Sequence, residues 1–254
     1  MKRILVWLGV VFLVIIAGVV VLLVWGQRSG QARQEAFFKA VMSGDPKQIT
    51  AMFDPALCDE VDEPVLVAWM KAAKDSLGAF KGLAKTDFST NVKYESGAKL
   101  TESSGKVLFE KGEARSELVF RDEKLIKFNI ASDRIGADWL KAAAVDPALY
   151  RQRGETFLTT FMGAQPKDAF ALMHPDLQKE APQATLQTMA DTLAGGYGKI
   201  KSVKHEKDEA DPSGTALRVL YRVEGEKGKG TADVLFRFVG LKGHILEFHV
   251  SRPQ

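Results

Sequence analysis

Hydrophobic and polar positions divide the chain into a charge-free run and two long patterned stretches. The run is Ile4 to Gly26. A helix of that length would extend about 35 Å, enough to cross about 30 Å of hydrocarbon with some tilt. Trp7 and Trp25 stand near its ends, where indole rings favour the headgroup layer, and Lys2 and Arg3 precede it. The apolar core is longer than that of a secretory signal, and no clean small-residue cleavage site follows, so the pattern predicts a retained signal anchor. A short head and a large remainder predict a single-pass protein of the cell membrane, N-terminus cytoplasmic and bulk extracytoplasmic.

Beyond a polar linker, Ala36, Phe37, Ala40 and Val41 recur at helical spacing. Ser43-Gly44-Asp45-Pro46 ends that helix and starts a second, with Asp45 as cap and Pro46 at its first position. The second helix carries Ile49, Met52 and Phe53 and stops at Asp54-Pro55. A third starts near Glu63-Pro64, buries Leu66, Trp69, Met70, Ala73 and Leu77, and ends at Gly78. From Thr86 the period falls to two. Phe88 to Tyr94, Val107 with Phe109, Ala114 to Phe120, and Ile126 to Ile130 read as an antiparallel meander with turns at Glu110–Glu113 and Arg121–Lys124.

The pattern then returns 120 residues on. Phe157 to Phe161 repeats Phe37 to Val41, Pro166 repeats Pro46, and Leu246, Phe248, Val250 repeat Ile126, Phe128, Ile130. Met173-His174-Pro175 repeats Phe53-Asp54-Pro55. Gly195-Gly196-Tyr197 aligns with Gly78-Ala79-Phe80 only if the offset drops to 117. So long a repeat reads as two copies of one domain. The predicted organisation is an anchor and linker (1–30), a first α+β domain (31–133), a short connecting helix within 134–149, and a second α+β domain (150–254).

Composition narrows the function. With Lys2 and Arg3 set aside, 33 basic residues face 32 acidic ones. Such a balance argues against nucleic acid as a partner. The single cysteine, Cys58, excludes an internal disulfide and, flanked by Asp59 and Glu60, reads as an inert thiol.

The helical start, the Gly44-Asp45-Pro46 cap, the Phe53-Asp54-Pro55 break and the closing Leu125-Ile126-Lys127-Phe128-Asn129-Ile130 meander resemble the nuclear transport factor 2-like superfamily, the cystatin-like cone. The resemblance covers residues 31–133 and 150–253 and is closest to bacterial members found on envelope proteins. Together with the apolar run it gives the expected fold class, α+β: an N-terminal transmembrane helix followed by two tandem cone-like domains, each three helices packed on a curved antiparallel sheet, the cones being what the resemblance implies. It also implies that a catalytic member would place an Asp, His or Tyr inside the cone.

In the first copy the inward set reads Val107, Phe109, Leu118, Phe120, Ile126, Phe128 and Ile130, all apolar. In the second, Tyr221 alone carries a polar group, and it reads as a core tyrosine. No buried carboxylate suggests a general base. His244 and His249 are five apart on one strand and would face opposite sides; His205-Glu206 meets the same objection, and His174 reads as a turn or cap. No metal site and no cofactor are predicted. Gly225 to Thr231 lacks the Lys before Thr that a P-loop needs and reads as a hairpin. Trp69, Phe88, Phe109, Phe128, Tyr197, Tyr221, Phe236 and Phe248 are the candidate lining of an apolar pocket. The expectation is a non-catalytic envelope protein binding a partner protein or a hydrophobic small molecule. The alternative is an isomerase or hydrolase with a site the sequence does not display. A pseudo-dimer of the two copies through their sheets is a further expectation.

Overall fold

In both copies the chain folds as helices followed by a four-stranded antiparallel meander. The structure is a computed structural model that describes residues 29–136, 139–163, 165–211 and 214–254. In the first copy the order is α1 (29–43), α2 (Pro46–Thr50), α3 (Pro55–Cys58), α4 (Glu63–Leu77), β1 (Phe80–Glu95), β2 (Ala98–Phe109), β3 (Glu113–Arg121) and β4 (Lys124–Ala131). In the second it is α5 (Ala148–Met162), α6 (Pro166–Ala171), α7 (Pro175–Glu180), α8 (Gln183–Tyr197), β5 (Ile200–Ala210), β6 (Ala216–Gly225), β7 (Lys229–Val239) and β8 (Lys242–Val250). Each sheet keeps sequence order, β1-β2-β3-β4 and β5-β6-β7-β8. The described residues form two compact units: 29–59 with 70–136, and 60–69 with 139–254, the division falling inside α4.

Three expectations are corrected. Among the described residues no helix is long and apolar enough to cross a membrane, so the described fold contains no transmembrane helix. The run Ile4 to Gly26, with Lys2, Arg3, Trp7 and Trp25, lies outside the described residues. Each copy has four helices rather than three. Asp54-Pro55 does not merely stop a helix: the Asp54 side chain accepts from the Ala56 N–H at 3.0 Å and Pro55 opens a new turn. His174 does the same through Nδ1 to the Asp176 N–H at 3.2 Å. Third, the described residues of the linker hold a 3-10 turn at Ala142–Ala144 where the connecting helix was expected, with α5 starting at Ala148.

The repeat is held by identical fastenings. The Asp54 N–H donates to Leu125 O and the His174 N–H to Ile245 O, each at 2.8 Å, tying the α2–α3 and α6–α7 corners to the last strand. That strand is bulged in both copies. Val119 pairs with Lys127 and Phe120 with Leu125, leaving Ile126 over; Leu235 pairs with Glu247 and Phe236 with Ile245, leaving Leu246 over. The buried residues are therefore Leu125 and Ile245, not Ile126 and Leu246. The helix stop is Gly78 in the first copy and Gly198 in the second, at φ +74° and +66°, where L side chains are strained. The offset is thus 120 here too; Gly195 and Gly196 lie within α8.

The first unit buries Phe37, Phe38, Ile49 and Phe53 against Val107, Phe109, Leu118 and Phe120. Phe38 meets Phe109 edge-on at 5.7 Å, and Phe53 stacks on Phe128 at 5.8 Å. The second buries Phe157, Phe161, Tyr197, Tyr221, Val234 and Phe236 in one cluster.

Candidate functional site

The interiors of the two copies differ in kind. Phe128 stands opposite Leu118, which stands opposite Ser103; their counterparts are Phe248, Val234 and Val219. The same register equates Thr101 with Leu217, Gly105 with Tyr221, and Ser116 with Ala232. Thr101, Ser103 and Ser116 are all buried on the inward face of the first sheet, against the expectation of an apolar set. The sequence hid them because the first half of β2 has hydroxyls where a hydrophobic alternation would have shown its phase.

The helices answer this change. Gln34 in α1 occupies the place of Gly154 in α5, and its amide reaches Ser116. In the second copy Tyr221 fills the volume instead. A Cβ on Gly154 would collide with its hydroxyl, which donates to Arg151 O at 2.8 Å. Burial, with the Asp208 and Glu155 charges nearby, pushes that phenol well above the ordinary tyrosine range. Tyr197 likewise lies over Gly225 and Gly230 and donates to Ser251 O at 3.0 Å. The second copy is thereby filled by tyrosines on glycines, each with its hydroxyl spent on a backbone carbonyl.

The eight candidate lining residues are mostly packing groups. Trp69, Phe109, Tyr197, Tyr221 and Phe236 are buried. Phe88 and Phe128 are half-buried, and Phe128 belongs to the stacked aromatic cluster. Phe248 meets Phe157 and Phe161 edge-on at 4.9 and 5.0 Å and lines a cleft of about 480 Å³ with Leu177, Ala181 and Met189.

A larger open cleft, about 620 Å³, lies in the first unit where α1, α4 and the β2–β3 turn end. Met42, Ala79 and Phe80 give it an apolar wall, and Lys39, Lys74 and Lys111 give it a cationic rim, opposed by Glu110. Phe80 continues into the core through Phe38 at 5.9 Å and Phe109 at 6.0 Å. Lys111 Nζ donates to Asp75 O at 2.9 Å, and Lys39 lies 3.5 Å from Glu35. Lys74 has no ion-pair partner among the described residues. At the 120 offset the second copy has Thr159 and Ala194 where the first has Lys39 and Lys74.

Two polar clusters in the second unit were missed in the sequence. Asp62 is a buried carboxylate that accepts from Tyr150 Oη at 2.9 Å, Arg153 Nη1 and Nη2 at 2.6 Å each, and the Gly243 N–H at 2.8 Å. It precedes a helix, so a scan of strand positions passed it over. Three of its four donors fall on Oδ2 and one on Oδ1, all from the protein's own groups, and it reads as a clamp. The second cluster is on β5. Glu206 is bulged there, because His205 pairs with Tyr221 and Lys207 with Leu220. The bulge puts His205 and Asp208 on one face, Nε2 to Oδ1 2.9 Å apart, and Arg151 also binds Asp208. Burial pushes the Asp208 carboxyl up, but hydrogen bonds from Arg151 and His205 outweigh it and hold it below the usual carboxylate range.

The bulge at Leu246 likewise overturns the parity argument for His244 and His249. They stand opposite Arg237 and Asp233, which share a face. His249 lies 3.5 Å from Asp233 and 3.3 Å from Glu247, and His244 packs edge-on to His174 at 5.1 Å. Among the described residues no three His, Cys, Asp or Glu side chains converge as metal ligands. No protein-family model matches the chain, and no curated protein matches it.

Proposed function

We propose that the chain is a non-catalytic binding protein whose first copy takes an elongated apolar ligand ending in an acid group, while the second copy is a filled support. One observation carries this: the cleft with an apolar Met42–Ala79–Phe80 wall and a Lys39–Lys74–Lys111 rim, which exists where the second copy has Thr159 and Ala194. Its volume lies within the range of small-molecule sites, and an apolar wall with few polar groups at one end is what orients an amphiphile. The helix-then-meander order supports the nuclear transport factor 2-like resemblance, which stays part of the proposal. An envelope location rests on the sequence of residues 4–26 alone.

The test is a calorimetric titration of the full chain with laurate and with dodecanol, which share a tail and differ in charge. Laurate binds, and dodecanol binds more weakly. Each of Lys39→Gln and Lys74→Gln weakens laurate by about two- to fivefold, the worth of an exposed ion pair, and leaves dodecanol unchanged. Equal binding of both probes, or none, sinks the reading. A partner-protein reading has one observation behind it: Val92 and Tyr94 are exposed on β1, an edge strand.

A further inference from the structure

The cleft of the second copy, about 480 Å³, has an apolar wall and an acidic rim. The wall is Leu177 and Ala181 at the end of α7, Met189 on α8, and Leu246 and Phe248 on β8. Leu246, Glu247 and Phe248 follow one another on the last strand of the sheet, so the cleft runs along an open edge. The bulge contributes Leu246, the residue left over from the pairing with β7. Met189 is 41% exposed at this wall, and its flexible thioether can adapt to an apolar guest.

Glu180 and Glu247 form the rim. Glu180 is exposed and has no ion-pair partner among the described residues. Glu247 meets Arg218 at 3.2 Å, but Arg218 also binds Asp233. Three carboxylates against one guanidinium leave two negative charges. His249, 3.3 Å from Glu247, offsets them only when protonated, and Lys179 is taken by Asp176 at 3.2 Å. At the 120 offset the first copy has Trp69, which is buried, in place of Met189, and Lys127 in place of Glu247, so neither the open wall nor the acidic rim is repeated there.

We infer that this cleft is a second ligand site, for a small organic cation: an alkylammonium with its tail against Met189, Leu246 and Phe248 and its head between Glu180 and Glu247. The volume suits a small molecule, and burying the tail releases water from an apolar wall. The head stays at the solvated rim, where opposite charge attracts it without the cost of full burial. The site is the charge inverse of the lysine-rimmed cleft and does not depend on it.

Methionine-methyl NMR reads both clefts in one spectrum, because Met189 lines this one and Met42 the other. The full chain is titrated with octylammonium, octanol and octanoate below micelle formation at matched ionic strength, with Met189→Leu and Met42→Leu assigning the signals. Octylammonium shifts the Met189 signal saturably, octanol binds more weakly there, and octanoate more weakly still. Glu180→Gln weakens octylammonium about two- to fivefold, the worth of an exposed ion pair. Glu247→Lys, which installs the residue of the first copy, weakens it about tenfold by adding repulsion to that loss. Lys39→Gln changes nothing at Met189. A Met189 signal that octylammonium leaves in place, or that octanol moves at equal concentration, overturns the proposal, as does octylammonium binding that survives both Glu180→Gln and Glu247→Lys. Failure of the acid-ligand reading shows separately, at Met42.

Discussion

Asp62 offers the sharpest test of how the second unit is held. All four of its partners are donors: the Tyr150 hydroxyl, two guanidinium nitrogens of Arg153 and the Gly243 N–H. Asp62→Ala leaves the buried Tyr150 hydroxyl and the Gly243 N–H unpaired, at about 1–3 kcal/mol each. The Arg153 side chain retains some solvent access, so its loss is partly recovered by water. A cost of about 3–5 kcal/mol follows, the usual range for removing one partner of a buried pair. Asp62→Asn should be almost as harmful, because its NH2 would face donors. Tyr150→Phe removes one bond only and should cost about 1.5–3 kcal/mol. Urea unfolding gives these values, and amide hydrogen exchange localises them: the Gly243 N–H loses protection in both Asp62 variants. An Asp62→Asn protein within about 1 kcal/mol of wild type would refute the clamp.

Gly154→Ala should destabilise by about 1–3 kcal/mol through overpacking on the Tyr221 hydroxyl. Tyr221→Phe should relieve part of that, so a double-mutant cycle by urea unfolding shows coupling rather than additivity. Burial, then the His174 and Lys242 charges, hold the His244 imidazole below its usual range. A lowered folded value means stability is intact above the unfolded pKa of about 6.5 and is lost as pH falls through the folded one. Melting scans from pH 7 downward should therefore show a decline that His244→Gln flattens; the lowered carboxyl of Asp208 acts only at more acid pH. His174→Asp restores the cap of the first copy and should leave stability unchanged or raise it by up to about 1 kcal/mol in the same scans.

Much of the architecture was legible. The offset of 120, the Pro46 and Pro166 caps and the closing strands were written in periodicity and turn chemistry. Long-range choices were not. Whether Ile126 or Leu125 faces inward depends on a bulge that pairing imposes, and the same is true of His244 with His249 and His205 with Asp208. Thr101 and Ser103 leave no hydrophobic phase to read, so the polar interior of the first copy was invisible. Asp62 was passed over because nothing local marks a carboxylate that will meet Tyr150 and Arg153 about ninety residues on. Comparing the copies residue by residue would have found the lysine rim, since Lys39 and Lys74 stand where the second copy has Thr159 and Ala194.

Native mass spectrometry of the full chain, purified without refolding, tests the central claim most directly. The account predicts an adduct of a few hundred daltons that leaves on activation and is clearly reduced in the Lys39→Gln, Lys74→Gln double variant. A bare mass for the wild-type chain that also takes up no added laurate would contradict it.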